Sequence, residues 1–278
     1  MCYSIRVNKG AIHMTSFFDI HSHILPDIEG DDGSRSMDMT LQMLRMAAEA
    51  GTTDIVATPH VNRRETVPRW KDIKQRVQQV QDEADKAQIP IHIYAGAEVE
   101  MNYKALEFLP KGGKQYCLNE TPYILAELTE QSQVDQTEQL LFELMLRGYI
   151  PILAHPERYT RIMHHPDRVL QWMQRGVLTQ CNIGSFVGAF GEHVQQRAEN
   201  LLRHHMVVFV GSDAHRTDWR TPDQRKGQQQ IQKLGGSLDV YTRHAAKMLQ
   251  GKPVYPPDLP AEWKEKKRGF FARLFHGN

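Results

Sequence analysis

The feature that most constrains this chain is a repeated unit in which a short apolar run precedes a stretch with helical spacing. Seven apolar runs recur between residues 17 and 215, and six of them end in His, Glu or Asp. Apolar runs that alternate with helical segments are typical of parallel βα units. We therefore predict an α/β fold, specifically a (β/α) barrel of the TIM type.

The polar residues that end these runs are expected to meet at one mouth of the barrel. His21 and His23 follow the first run one residue apart, so both imidazoles point to the same face of an extended chain. In parallel barrels the reactive groups lie at the carboxyl ends of the strands, because the βα loops open there. The full set of strand-end residues is His21, His23, His60, Glu98, Glu127, His155, Asp213 and His215.

These strand-end residues predict a cluster of metal ions. Eight imidazole and carboxylate donors exceed the roughly four to six ligands of one divalent ion, which indicates two or three ions bridged by carboxylates. Nitrogen and carboxylate ligands suit Mn, Fe or Zn, and the sequence does not choose among them. Such a cluster lowers the pKa of a bound water and holds the oxygens of an ester, so the predicted chemistry is hydrolysis.

Two arginines lie close to these residues. Arg158 follows His155, and Arg220 follows His215 by five residues. Guanidinium groups bind phosphate oxygens in a bidentate manner, which favours a phosphoester substrate, although surface ion pairing would also account for both residues. A cysteine phosphatase is excluded, because no Cys of the sequence is followed six residues later by Arg.

Composition limits the compartment and the partners. The 34 basic and 33 acidic residues give a formal net charge of +1, so we expect no nucleic acid partner. The three cysteines are scattered and form no CxxC pair, which fits a reducing compartment and predicts a cytoplasmic protein. Four further histidines are predicted to be surface residues: His164, His204, His205 and His244.

Composition also predicts three parts: an N-terminal extension over 1–16, the barrel over 17–250, and a Pro-rich linker with a basic aromatic tail over 251–278. The tail interleaves residues such as Trp263 and Phe270 with Lys and Arg. One interpretation is an amphipathic helix in peripheral contact with the anionic inner membrane. The other is a helix whose aromatic residues pack on the barrel.

The motifs DIHSHILP, DDG, ATPH, GAEV, LAEL, AHPER and GSDAHRTDWR occur in this order. Together they resemble the PHP family, specifically its bacterial protein tyrosine phosphatase branch of the capsule and exopolysaccharide operons. Over about residues 17–250, the resemblance implies a distorted seven-stranded barrel with a trinuclear metal site, usually of manganese. The implied reaction is hydrolysis of phosphotyrosine in the C-terminal tyrosine cluster of an autophosphorylating bacterial tyrosine kinase.

The resemblance also implies residue roles. The eight strand-end residues would be metal ligands, and Arg158 and Arg220 would contact the phosphate. Asp32 is offered as a further ligand, but the loop ILPDIEGDDG is two residues longer than the ILPGIDDG usual in such relatives. Three other acidic residues of this loop therefore remain alternatives: Asp27, Glu29 and Asp31.

Two other functions fit the same residues. The first is a PHP phosphoesterase that acts on a small metabolite such as histidinol phosphate. The second is a barrel that keeps its metal but serves as an interaction module, with the tail docking it to a membrane-bound partner.

Overall fold

The structure is a computed structural model that describes residues 16–256 and 258–264. Residues 1–15 of the predicted N-terminal extension lie outside the described residues. The same holds for residues 265–278 of the basic aromatic tail, so the predicted tail helix remains a prediction. Within the described ranges, the helices are all too short or too polar to cross a lipid bilayer.

The strands run parallel within two sheets, with the orders β1-β2-β4 and β3-β5-β6-β7-β8-β9. The strands are β1 (Phe17–Ser22), β2 (Thr52–Ala57), β3 (His60–Val61), β4 (His92–Ala95), β5 (Glu98–Glu100), β6 (Tyr123–Glu127), β7 (Ile150–Ala154), β8 (Leu178–Asn182) and β9 (Phe209–Gly211). The α/β fold with parallel strands is confirmed.

The two sheets join into a distorted seven-stranded barrel. β2 continues into β3 and β4 into β5, and the hydrogen bond from Glu98 N to Pro59 O, 3.1 Å long, bridges the break between the two pairs. At the other edge Asp213 N donates to His21 O and His23 N donates to Ala214 O, each at 2.8 Å. These bonds place the end of the last strand beside the end of the first.

Helices follow most strands, and the longer ones bury an apolar stripe against the sheet. The helices are α1 (Met37–Glu49), α2 (Trp70–Lys86), α3 (Ala105–Phe108), α4 (Val134–Leu146), α5 (Thr160–Met163), α6 (Pro166–Gln174), α7 (Glu192–Arg203), α8 (Arg225–Lys233) and α9 (Leu238–Leu249). In α2 the buried residues Ile73, Val77 and Val80 show the spacing of three and four that one helical face requires. Ser36 caps α1 by accepting from Met39 N at 3.2 Å.

The last described residues, 258–264, return to the barrel. The ring of Trp263 stacks on His204, the residue after α7, with a centroid separation of 4.0 Å, and the two ring nitrogens of His204 lie 2.8 Å from Asn200 O and Lys264 O. His204 is buried, so its prediction as a surface residue is wrong. Trp263 itself therefore packs on the barrel.

Candidate metal centre

The strand-end histidines and acids meet at the carboxyl ends of the strands. His21 and His23 lie on the same side at the end of β1, and both are fully buried. His60 begins β3 and Glu98 begins β5, just after the breaks in their strands. The breaks turn these two side chains into the barrel mouth, where the pairing of β3 with β5 sets His60 opposite Glu98.

The donor atoms form three overlapping groups, within each of which they lie no more than 4.8 Å apart. Seven of the eight strand-end residues belong to them, together with Asp32. The groups are His23, Asp32, His60 and His215; His21, His23, Glu98 and Asp213; and His60, Glu98 and Glu127.

Glu98 lies at the centre of this arrangement. Its Oε2 is 3.2 Å from His21 Nε2, from His23 Nε2 and from His60 Nδ1. Its other oxygen, Oε1, is 2.7 Å from His155 Nε2. Among the described residues, His155 belongs to none of the three donor groups. It contacts the cluster by way of the Glu98 carboxylate.

The donor set fits divalent ions. The inward-facing atoms are buried, have no hydrogen-bond partner among the described residues, and point at one another. They include Asp32 Oδ1, His60 Nδ1, Glu98 Oε2, Glu127 Oε2, Asp213 Oδ1 and His215 Nε2. Unpaired buried polar atoms are costly. Ligands that share an ion at about 2.0–2.2 Å lie about 3 Å apart, close to the separations seen in this cluster.

The charges of the cluster residues also favour bound cations. Burial disfavours the ionised form of Glu98, but the nearby His21 and His60 outweigh burial and hold its pKa well below the usual range. Burial and the charge of His23 lower the pKa of His60, yet Glu98 and neighbouring carboxylates raise it overall to about 9. The carboxylates therefore attract positive charge, which protons or metal ions can supply.

The acidic residues of the loop before α1 lie in different positions relative to the cluster, and Glu29 is exposed. Asp32 Oδ1 lies 3.2 Å from His215 Nε2 and 3.4 Å from His60 Nε2, so Asp32 is the donor within reach of the cluster. Asp31 instead accepts from His23 Nδ1 at 2.8 Å and orients that ring. Asp27 is an exposed partner of Arg76.

The approach of this loop to the cluster depends on Gly33. A Cβ atom at this position would lie 2.1 Å from His23 O, far inside van der Waals contact. Ser34 N donates to the same carbonyl at 3.0 Å. Only glycine lets the backbone lie against His23 and brings Asp31 and Asp32 to the imidazoles.

Two amide side chains of β8, which we call the amide relay, connect two cluster residues. Gln180 Oε1 lies 3.0 Å from His21 Nδ1, and Gln180 Nε2 donates to Asn182 Oδ1 at 2.9 Å. Asn182 Nδ2 then donates to Asp213 Oδ2 at 2.7 Å. The relay favours the His21 tautomer whose Nε2 is free to bind a metal.

Sequence reasoning missed the amide relay, because amides are weak candidates for ligands. The sixth run ends on Gln180 and Asn182, which have the same one-residue spacing as His21 and His23. That spacing was the available signal. Glu157 was missed as well: it is fully buried and accepts from Asn182 N at 2.9 Å and from Ser185 Oγ at 2.7 Å.

Arg158 and Arg220 share one carboxylate oxygen beside the cluster. Arg158 Nη1 donates to Asp213 Oδ2 at 3.0 Å, and Arg220 Nη2 pairs with the same oxygen. The ring of Phe190 lies 4.8 Å from Arg158 Cζ and 5.6 Å from Arg220 Cζ, within cation–π range. A third arginine, Arg63, was not predicted and pairs with Asp32 Oδ2 at 2.8 Å.

Comparison with known proteins identifies relatives over nearly the whole barrel. A profile of the family described as capsular polysaccharide synthesis, CpsB/CapC, matches residues 17–249. Tyrosine-protein phosphatase YwqE of Bacillus subtilis strain 168 is 31% identical over 256 residues, which cover 91% of this chain and 99% of YwqE. Tyrosine-protein phosphatase CpsB of Streptococcus pneumoniae is 30% identical over 225 residues, 79% of this chain and 91% of CpsB.

Solved structures agree with these sequence matches. A structure from the study of YwqE and CpsB, called unique metal-dependent tyrosine phosphatases, has a TM-score of 0.81 at 30% identity and covers 89% of this chain and 99% of that chain. The phosphotriesterase homology protein of Escherichia coli has a TM-score of 0.56 at 11% identity, which shows a shared fold alone. The chain belongs to the CpsB/CapC family of capsular polysaccharide synthesis proteins.

Proposed function

We propose that this chain is a metal-dependent protein tyrosine phosphatase whose substrate is phosphotyrosine in the C-terminal tyrosine cluster of a bacterial tyrosine kinase. The relatives named above are tyrosine-protein phosphatases. The observation that carries the proposal is the position of Arg158 and Arg220, two guanidiniums held by Asp213 at the edge of a cluster of metal donors.

The donor set would hold two or three divalent ions, for which we propose Mn²⁺, with Fe or Zn as alternatives. His155 belongs to this proposed set through its contact with Glu98 Oε1. When bound, the ions supply Lewis acidity toward water and toward the phosphoryl oxygens. The proposed ligands are His21, His23, Asp32, His60, Glu98, Glu127, His155, Asp213 and His215.

The side chains of the site act on the phosphoester through charge and position. Arg158 and Arg220 present planar N–H donors that match the oxygens of a phosphate group, and their charges stabilise the negative charge of the transition state. Phe190 and Asp213 keep both guanidiniums in place before the substrate arrives. A phenol has a pKa of about 10, so tyrosine is a better leaving group than an aliphatic alcohol.

The setting of the reaction follows from the proposed substrate. The match over 17–249 supports the proposed barrel boundaries of 17–250. We place the protein in the cytoplasm because its scattered cysteines fit a reducing compartment. The inner-membrane contact of the tail remains a proposal based on the composition of residues 265–278.

Substitution of Arg158 tests this function. We expect Arg158→Ala to lower kcat/KM on a phosphotyrosine peptide by about 10²- to 10³-fold, the usual effect of removing one transition-state donor, with unchanged metal content. Arg161→Ala is the matched control, because Arg161 is a nearby exposed arginine whose guanidinium lies 3.4 Å from Gln131 O. Full activity of Arg158→Ala, or faster turnover of histidinol phosphate than of the peptide by the Mn²⁺-loaded wild type, would contradict the proposal.

A further inference from the structure

Trp219 is a large exposed aromatic residue at the mouth of the metal centre. Its side chain is 56% exposed, whereas most large apolar side chains among the described residues are buried. The indole centroid lies 5.8 Å from the ring centroid of His215 and 5.3 Å from Arg220 Cζ. One part of Trp219 therefore contacts a proposed metal ligand and a proposed phosphate-binding residue, and the rest faces solvent.

The loop that carries Trp219 has a defined conformation. His215 N donates to Arg220 O at 2.9 Å, which closes the segment between the two residues. Arg220 has a φ of +48°, a left-handed conformation that residues other than glycine rarely adopt. Such backbone conformations persist where surrounding contacts fix them, and they are common in binding sites. The path of the loop that carries Trp219 is therefore fixed by its backbone.

Phe190, the other aromatic residue near the arginines, has a different role. Its ring already lies against the guanidiniums of both Arg158 and Arg220 and is half-buried. Trp219 contacts only one of these arginines and keeps more than half of its surface free. Of these two aromatic residues, Trp219 therefore has more surface free for contact with a ligand.

We propose that Trp219 is a specificity residue whose exposed face stacks on the phenyl ring of the substrate while Arg158 and Arg220 hold its phosphate. The inference rests on the proposed function, because it assumes that the arginines bind the phosphate of an aryl ester. A single ester oxygen separates phosphorus from the phenyl ring, so a phosphate on Arg220 keeps the ring near Trp219. Aromatic pairs interact at centroid separations of about 4.5–7 Å.

Binding of two small phosphonates separates recognition of the ring from turnover. Phenylphosphonate and methylphosphonate carry the same acidic group, and neither is hydrolysed as an ester. For the Mn²⁺-loaded full-length protein, calorimetry should show about threefold to tenfold tighter binding of phenylphosphonate, the range expected for one aromatic pair. Trp219→Leu should remove this preference, and Trp219→Phe should keep most of it.

Tyr255 supplies the matched control, since it is 75% exposed and follows Val254, whose N donates to Tyr123 OH near the start of β6, away from the barrel mouth. Tyr255→Leu should keep the wild-type preference. Equal affinity of the wild type for both phosphonates, or an unchanged preference in Trp219→Leu, would overturn the inference. A parallel loss of both phosphonates in Trp219→Leu would also overturn it, because the ring would then act only through Arg220.

Hydrolysis of a phosphotyrosine peptide gives a second readout. We expect Trp219→Leu to lower kcat/KM about tenfold, mainly through KM, and to leave inhibition by inorganic phosphate unchanged. A wild type that binds phenylphosphonate preferentially but hydrolyses no phosphotyrosine peptide would contradict the proposed function and leave the role of Trp219 supported.

Discussion

Replacement of Gln180 by Leu should weaken metal binding without changing any proposed ligand. Gln180 and His21 are both fully buried, and Gln180 Oε1 is 3.0 Å from His21 Nδ1. Leucine has a similar volume but no acceptor. His21 Nδ1–H then loses its partner, and so does Asn182 Oδ1, which accepts from Gln180 Nε2 at 2.9 Å.

The size of the effect follows from the cost of an unpaired buried donor. To bind an ion through Nε2, His21 must keep its proton on Nδ1, and in the variant that N–H has no acceptor. An unsatisfied buried polar group costs about 1–3 kcal/mol, and about 1.4 kcal/mol corresponds to a tenfold change in affinity. We therefore expect Gln180→Leu to bind Mn²⁺ about 10- to 100-fold more weakly, in line with other residues that orient metal ligands.

Competition between the metal-free protein and a fluorescent Mn²⁺ indicator would measure this change. Gln81→Leu is the matched control: Gln81 Oε1 accepts from Ile93 N at 2.8 Å and Nε2 donates to Ile91 O at 3.1 Å, on α2 and away from the cluster. We expect the control to lose free energy of unfolding and to keep its Mn²⁺ affinity. A Gln180→Leu affinity within twofold of the wild type would refute the assigned role of the amide relay.

Two further predictions concern the loop before α1 and a surface ion pair. Asp32→Ala should lower the number of ions bound per chain in metal analysis, whereas Asp27→Ala, which removes an exposed carboxylate, should not; fewer ions in Asp27→Ala would contradict the choice of Asp32. Hydrogen bonds from Arg168 and Trp172 lower the pKa of Glu138 to about 2, below the unfolded value near 4.3. The ionised form thus stabilises the native state at neutral pH, and this stabilisation is lost as pH falls. Urea titrations would measure the free energy of unfolding of the wild type and of Glu138→Gln. The difference between them should shrink between about pH 5 and pH 3. A difference that stays constant over this range would show that ionised Glu138 is not the source of the stabilisation.

The fold and the cluster were predictable because each depends on a regular pattern. Alternating apolar and amphipathic segments predict parallel strands, and the carboxyl ends of such strands share one edge, so His21 and Asp213 could be expected to meet. The short helices α3 and α5 carry too few residues for a helical period and were not predicted. The breaks that turn His60 and Glu98 inward have no periodic signal either.

The residues that orient the proposed ligands were harder to predict, because their roles depend on contacts between distant segments. Gln180 acquires its role only when β8 lies close to the end of β1, and a sequence does not show whether an amide meets an imidazole or water. Arg63 follows Asn62 in a turn where Asn62, Arg64 and Glu65 have positive φ values, a conformation that their residue types do not reveal. The loop assignment likewise required coordinates, since Asp31 and Asp32 are adjacent and point to different histidines.

The anchoring of the loop between Ile24 and Gly33 bears on how members of this family diverge. Ile24 and Leu25 are buried at one end and Gly33 is fixed against His23 at the other, while Asp27, Glu29 and Gly30 between them face solvent. Insertions are tolerated at such exposed tips, provided that the flanking backbone stays fixed. Evolution can therefore lengthen this segment and change the surface around the mouth of the metal centre. The proposed metal ligands then keep their positions.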